Sequence, residues 1–79
     1  MNEYLATFHS HFGALSFRKA LKERGIAAKL GPVPRKISPT CGTCVFYAHD
    51  SAVPADGFEL EALYVERNGA WELVYNEER

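Results

Sequence analysis

The sequence predicts a small α+β domain: a βαβ unit followed by antiparallel strands, a degenerate ferredoxin-like arrangement with one main helix on one face of the sheet. Three observations carry that expectation. An amphipathic stretch lies between two short apolar runs, and an Asn-Gly pair at 68 and 69 joins two alternating runs. The chain length of 79 residues suits one domain, 1–79. An apolar content of 47%, with five Phe, four Tyr and one Trp, is that of a packed globule. So short a chain nevertheless buries only roughly 60–65% of the surface that its unfolded form exposes, so its stability margin is thin.

Tyr4-Leu5-Ala6-Thr7-Phe8 is aromatic and apolar and too short for a helix, so it reads as a buried strand. Ser10 supplies an N-cap oxygen for a helix starting at His11. Within that helix Ala14, Phe17 and Leu21 recur on one face, Arg18, Lys19, Lys22, Glu23 and Arg24 face away, and Leu15 falls at the margin. Gly25 ends the helix because glycine takes the left-handed conformation at no steric cost. Ile26 to Leu30 reads as a second strand, parallel to the first through a right-handed crossover. Pro32 and Pro34 then fix two φ angles and remove two N–H donors, which predicts a stiff passage outside the sheet through Lys36.

Ser38-Pro39-Thr40 turns the chain into a third strand, Cys44 to Ala48. Ser51 to Gly57 is loop or at most one helical turn. A two-residue turn at Asn68-Gly69 pairs Glu66 with Trp71, Tyr64 with Leu73 and Ala62 with Tyr75, while Leu63 and Val74 meet on the other face. Asn76 to Arg79 is expected to fray. Phe8, Phe12, Phe17, Trp71 and Tyr75 are expected in core and sheet packing rather than as a ligand platform.

The net charge of -1 conceals an asymmetry. Residues 1–49 carry seven Lys/Arg against two Asp/Glu, and residues 50–79 carry two against eight, giving +5 and -6. Solvated faces on opposite sides of one domain explain this, as does a basic half that attracts an anionic ligand or an acidic partner. The basic residues are few and not interleaved with aromatics, so no nucleic-acid partner is expected. Met1-Asn2-Glu3-Tyr4 lacks a basic region leading into an apolar stretch, and no run is long enough to span a bilayer. The expectation is a cytoplasmic protein with no membrane partner, whose two cysteines are reduced, ligating or redox-cycling rather than a structural staple.

Chemistry centres on Cys41 and Cys44, the two cysteines, which follow Pro-Val-Pro-Arg-Lys. In a βαβ unit the loops leaving both strands share one edge of the sheet, which brings His9, Ser10 and His11 near residues 32–41. The helix N-terminus presents free N–H groups and roughly +0.5 charge there, and Arg35 and Lys36 add two full charges. Such neighbours favour an ionised sulfur at Cys41, and the thiolate is the nucleophile of sulfur transfer and disulfide exchange. Gly42 leaves the adjacent backbone uncrowded for a partner's approach. Cys44 is placed to resolve a persulfide or mixed disulfide on Cys41, or else is a core residue opening a strand. His9 and His11 with the two cysteines also form a four-ligand zinc set, but their spacing is unusual and no metal or cofactor is expected. Paired carboxylates, a phosphate loop and a serine triad do not occur.

The stretch YLATFHSHFGAL, followed by RGIAAKLGPVPRKISPTCG, resembles the selenium/sulfur carrier-like proteins over residues 4–42. The most specific element is Pro-Val-Pro-Arg with Cys-Gly six residues later. The resemblance implies Cys41 as the attachment point for sulfur or selenium, Arg35 as part of its setting, and donor and acceptor proteins as partners. Downstream the chain departs from the family pattern: Cys44 is an addition, and a hairpin stands where a second helical stretch is usual. The expected function is therefore a carrier or thiol relay rather than a catalyst. A small interaction module, using its basic helix face or its last hairpin strand as an edge for a partner, with a homodimer among its outcomes, and a Cys/His metal domain are the alternatives.

Overall fold

The computed structural model describes residues 1–37 and 42–76. It contains β1 (Asn2–Phe8), α1 (His11–Glu23), β2 (Ala28–Pro32), β3 (Thr43–His49), β4 (Leu60–Arg67) and β5 (Ala70–Asn76). The strands form one sheet in the order β2-β3-β1-β4-β5, with every neighbour antiparallel. β1 and β2 both oppose β3, so they run in the same direction with β3 inserted between them. The first four strands have the split βαβ order of a ferredoxin-like sheet, and β5 is added at the edge.

Helix α1 begins as its residues dictate. Ser10 is extended (φ -136°, ψ 155°), and its Oγ accepts the Gly13 N–H at 3.1 Å. At the other end Gly25 has φ 77°, its N–H reaches the Lys22 carbonyl at 3.0 Å, and the Ile26 N–H reaches the Leu21 carbonyl at 2.9 Å. Ile26 and Leu21 are both buried in one cluster, which completes the helix stop with an apolar contact. Strand β2 accordingly starts at Ala28, not at Ile26. Pro32 also differs from expectation: it is the last residue of β2 and pairs with Thr43. β2 is an edge strand, so a missing N–H at its end costs little.

The helix face of the sheet holds the main core. Phe17 is its hub, with ring centroids 5.4 Å from Phe8, 5.9 Å from Tyr47 and 5.4 Å from Phe58. Tyr4 stacks on Tyr47 at 5.1 Å, and Ala6, Ala14, Leu21, Val45, Leu63 and Val65 fill the remainder. Burying a ring such as Phe17 stabilises the fold by roughly 1.5–3 kcal/mol.

Alternation along β1 and β3 sends Leu5, Thr7 and Cys44 to the opposite face, yet these too are buried. Leu5 pairs with Phe46 on one side and Tyr64 on the other, and the Phe46 and Trp71 rings lie 6.1 Å apart across it. Gly31 makes room for Phe46, since a Cβ there would stand 2.9 Å from the ring. The loop after β2 contributes as well: Lys36 and Ile37 line a cleft of about 390 Å³ with Tyr64, Gly69, Ala70 and Trp71.

The hairpin turn has φ 54° at Asn68 and 82° at Gly69, as a type I′ turn requires. Glu66 faces Trp71 and Tyr64 faces Leu73 as predicted. A register shift between Leu63 and Tyr64 then pairs Leu63 with Tyr75 and Ala62 with Asn76, correcting the pairs expected further on. Phe12, expected in the core, is 73% exposed, and Tyr75 is 46% exposed.

Candidate functional site

The end of the sheet where β1 and β2 finish and β3 begins carries the predicted site residues. Pro32 pairs with Thr43, and the Val33 N–H reaches the Gly42 carbonyl at 3.4 Å, so both ends of the intervening loop are tied together. The turn within that loop is closed by the Ile37 N–H on the Pro34 carbonyl at 3.0 Å, with Arg35 and Lys36 exposed at its corners. Cys41 lies outside the described residues, as does the predicted Ser38-Pro39-Thr40 turn.

The two histidines flanking Ser10 separate. The His9 backbone N–H donates to the Glu59 carbonyl at 2.9 Å, beside the start of β4. His11 is exposed in the first helical turn, and its Nδ1 lies 3.0 Å from Thr43 Oγ1 at the start of β3. Cys41 precedes Thr43 by two residues in the chain, so His11 and the helix N-terminus stand at the foot of the cysteine loop. Gly13 holds that first turn against the segment before β4, because a Cβ there would run into the Phe58 carbonyl. Thr43 was not singled out from sequence. Its one signal was a hydroxyl directly after Cys-Gly, and the contact with His11 spans 32 positions.

Cys44 is fully buried, paired with Thr7 on one side and Gly31 on the other, with its Sγ 3.7 Å from the Pro32 carbonyl. This burial supports the core reading of Cys44, since an incoming reagent reaches the sulfur only through local opening. Lys36 lines the cleft with Tyr64 and Trp71 rather than standing with His11. In that cleft burial, reinforced by the Glu61 carboxylate, pushes the Tyr64 phenol above its ordinary range. Among the described residues no group of three or more His, Cys, Asp or Glu side chains is placed to hold a metal ion. No described helix is long and apolar enough to cross a membrane.

Comparison with known proteins turns on residues 3–68, which match the family described as "Putative Se/S carrier protein-like". The chain belongs to this family. The match runs through β4 to the hairpin turn, well past the Cys-Gly pair that carried the resemblance in the sequence. A curated relative is the uncharacterized protein YtiA of Escherichia coli (strain K12), 28% identical over 80 residues covering 94% of this chain and 91% of that one. No solved structure matches.

Proposed function

We propose that this member of the family carries sulfur or selenium on Cys41. The observation that carries the reading is the 3.0 Å contact between His11 Nδ1 and Thr43 Oγ1, which joins the helix N-terminus to the strand that follows Cys41. A partial positive charge and an imidazole then stand beside the loop that would bear a thiolate or persulfide. Family membership supports the same assignment.

The transfer is redox-neutral. The Cys41 thiolate attacks the terminal sulfur of a donor protein's persulfide, a new S–S bond forms on Cys41, the donor's S–S bond breaks, and the donor leaves as a thiolate. Repetition with an acceptor thiolate unloads the carrier. The protein supplies setting rather than chemistry, with Gly42 leaving space for the partner and Arg35 adding charge to the loop. Such a cycle works where thiols are kept reduced, which is a cytoplasmic setting.

Cys44 has no part in this cycle in the folded state. Incubation with a desulfurase bearing a ³⁵S-labelled persulfide should label the wild type and Cys44→Ala equally, and the label should be released by dithiothreitol. Cys41→Ser should take up none. Equal labelling of Cys41→Ser and the wild type would overturn the proposal.

A further inference from the structure

Apart from Met1, the large exposed hydrophobic residues of the described chain lie on two elements: Phe12 and Leu15 form one patch on α1, and on β5 Val74 and Tyr75 form a second, whereas Leu73 pairs with Tyr64 on the opposite face of the sheet. The first patch lies on the outward face of the helix. Phe12, Leu15, Lys19 and Lys22 recur at i, i+3, i+7 and i+10, opposite the buried Ala14, Phe17 and Leu21. They make a stripe whose first half is apolar and whose second half is basic, with Glu23 alongside its end.

The second patch borders a groove. Helix α1 packs over β2, β3 and β1, so the β4–β5 half of the same face is left to residues 50–59. A second helix would cover this region in a complete ferredoxin-like fold; here the segment is loop and turn. Between that loop and β5 lies a cleft of about 640 Å³, walled by Val53, Ala55, Leu60, Leu63, Val74 and Tyr75. Asp56 and Glu59, both exposed, stand in its lining. A cleft of this size takes in a drug-sized group, so two hydrophobic side chains fit it.

We infer that the outward stripe of α1 docks into this groove on a second copy of the same chain, forming a two-fold dimer in which each helix lies between two sheets. Complementarity selects the occupant. The stripe presents Phe12 and Leu15 with Lys19 and Lys22, and the groove presents apolar walls with Asp56 and Glu59. Stripe and groove open on the same face, so one two-fold rotation makes both contacts at once and closes the assembly. A standard interface removes about 800 Å² per partner. That is roughly a sixth of this chain's 5149 Å² surface.

The test is reciprocal charge exchange followed by sedimentation equilibrium. The wild type should dimerise, and Phe12→Glu should weaken association at least about tenfold with its circular dichroism unchanged. Lys19→Glu with Lys22→Glu, and separately Asp56→Lys with Glu59→Lys, should each be monomeric alone. Mixed in equal amounts they should form a heterodimer, because each stripe then meets an oppositely charged groove. A wild type that stays monomeric at millimolar concentration would overturn the inference. Failure of the mixture to associate, an open-ended polymer, or a dimer surviving Phe12→Glu but lost in Val74→Pro would overturn it equally, the last by showing edge pairing through β5. Sulfur acceptance by Cys41 is read separately.

Discussion

The two faces of the sheet are both buried, but by different means. On one face a single helix lowers Phe17 into a nest of Phe8, Tyr47 and Phe58. On the other, Leu5, Thr7 and Cys44 are buried on the face where the Phe46 and Trp71 rings approach each other and where Lys36 and Ile37, from the loop after β2, line a cleft with Trp71. A helix fastened by an N-cap and a C-terminal glycine motif is a self-supporting cover. A loop is held by what it lies on, so the packing of the second face sets the position of the residues leading to Cys41.

The largest effect expected from this difference is an asymmetry in stability. Phe17→Ala should cost about 3–5 kcal/mol in denaturant unfolding, since it leaves a cavity among fully buried rings. Trp71→Ala should cost roughly 1–2 kcal/mol, because the indole is only partly covered. The two variants should also differ in kind: Trp71→Ala should raise Cys41 alkylation under native conditions more than a stability-matched Phe17→Leu does. Equal costs and equal alkylation would erase the distinction between the faces.

Sequence reasoning read the first face far better than the second, and the reason is periodicity. Ala14, Phe17 and Leu21 announce an amphipathic helix, Ser10 its start, and Asn68-Gly69 the hairpin, all through local rules. Along β1, by contrast, Tyr4 to Phe8 are buried without alternation, which shows that both sides are covered but not by what. Ile26 reads as the first residue of the second strand after the Gly25 stop, whereas it serves the helix stop against Leu21. Pro32 looked like a breaker because its edge position is a property of the whole sheet. The shift at Leu63 and the His11–Thr43 contact depend on neighbours far along the chain, and no local pattern encodes them. Of the residues expected around Cys41, the structure sets Ser10 at the start of α1 and His11 against Thr43, two residues after Cys41 in the chain. Sequence reasoning also grouped Lys36 with them, and the cleft beside Trp71 separates it.

Cys44 sharpens the comparison at intermediate magnitude. Replacing its sulfur by a hydroxyl puts a stronger polar group into the centre of the loop-covered face. The Pro32 carbonyl, 3.7 Å from Sγ, is beyond good O–H···O reach. Cys44→Ser should lose about 1–3 kcal/mol by burying a more polar hydroxyl in place of the thiol, whereas Cys44→Ala should lose less. Equal stability of Cys44→Ser and the wild type, measured by urea unfolding, would mean that this face admits water, and that Cys44 is open to chemistry after all.

The smallest effect lies in two phenols, one on each face. Tyr47, 4% exposed beneath the helix, is raised above its ordinary value of 10.0 chiefly by burial; the Val53 N–H donating to its Oη at 3.1 Å opposes this, and Tyr4 adds a little. Tyr64, partly exposed on the loop-covered face, is raised from the same value by burial and then by Glu61. A phenol whose folded value is raised stays protonated where the unfolded chain has already lost its proton, so unfolding releases protons in that window. The stabilising contribution is complete below about pH 10 and is lost as pH climbs through the folded-state value. Stability measured by urea titration between pH 8 and 11 should fall with rising pH, and Tyr47→Phe should flatten that fall more than Tyr64→Phe. The reverse order would place the better-sealed surface on the Tyr64 face of the sheet.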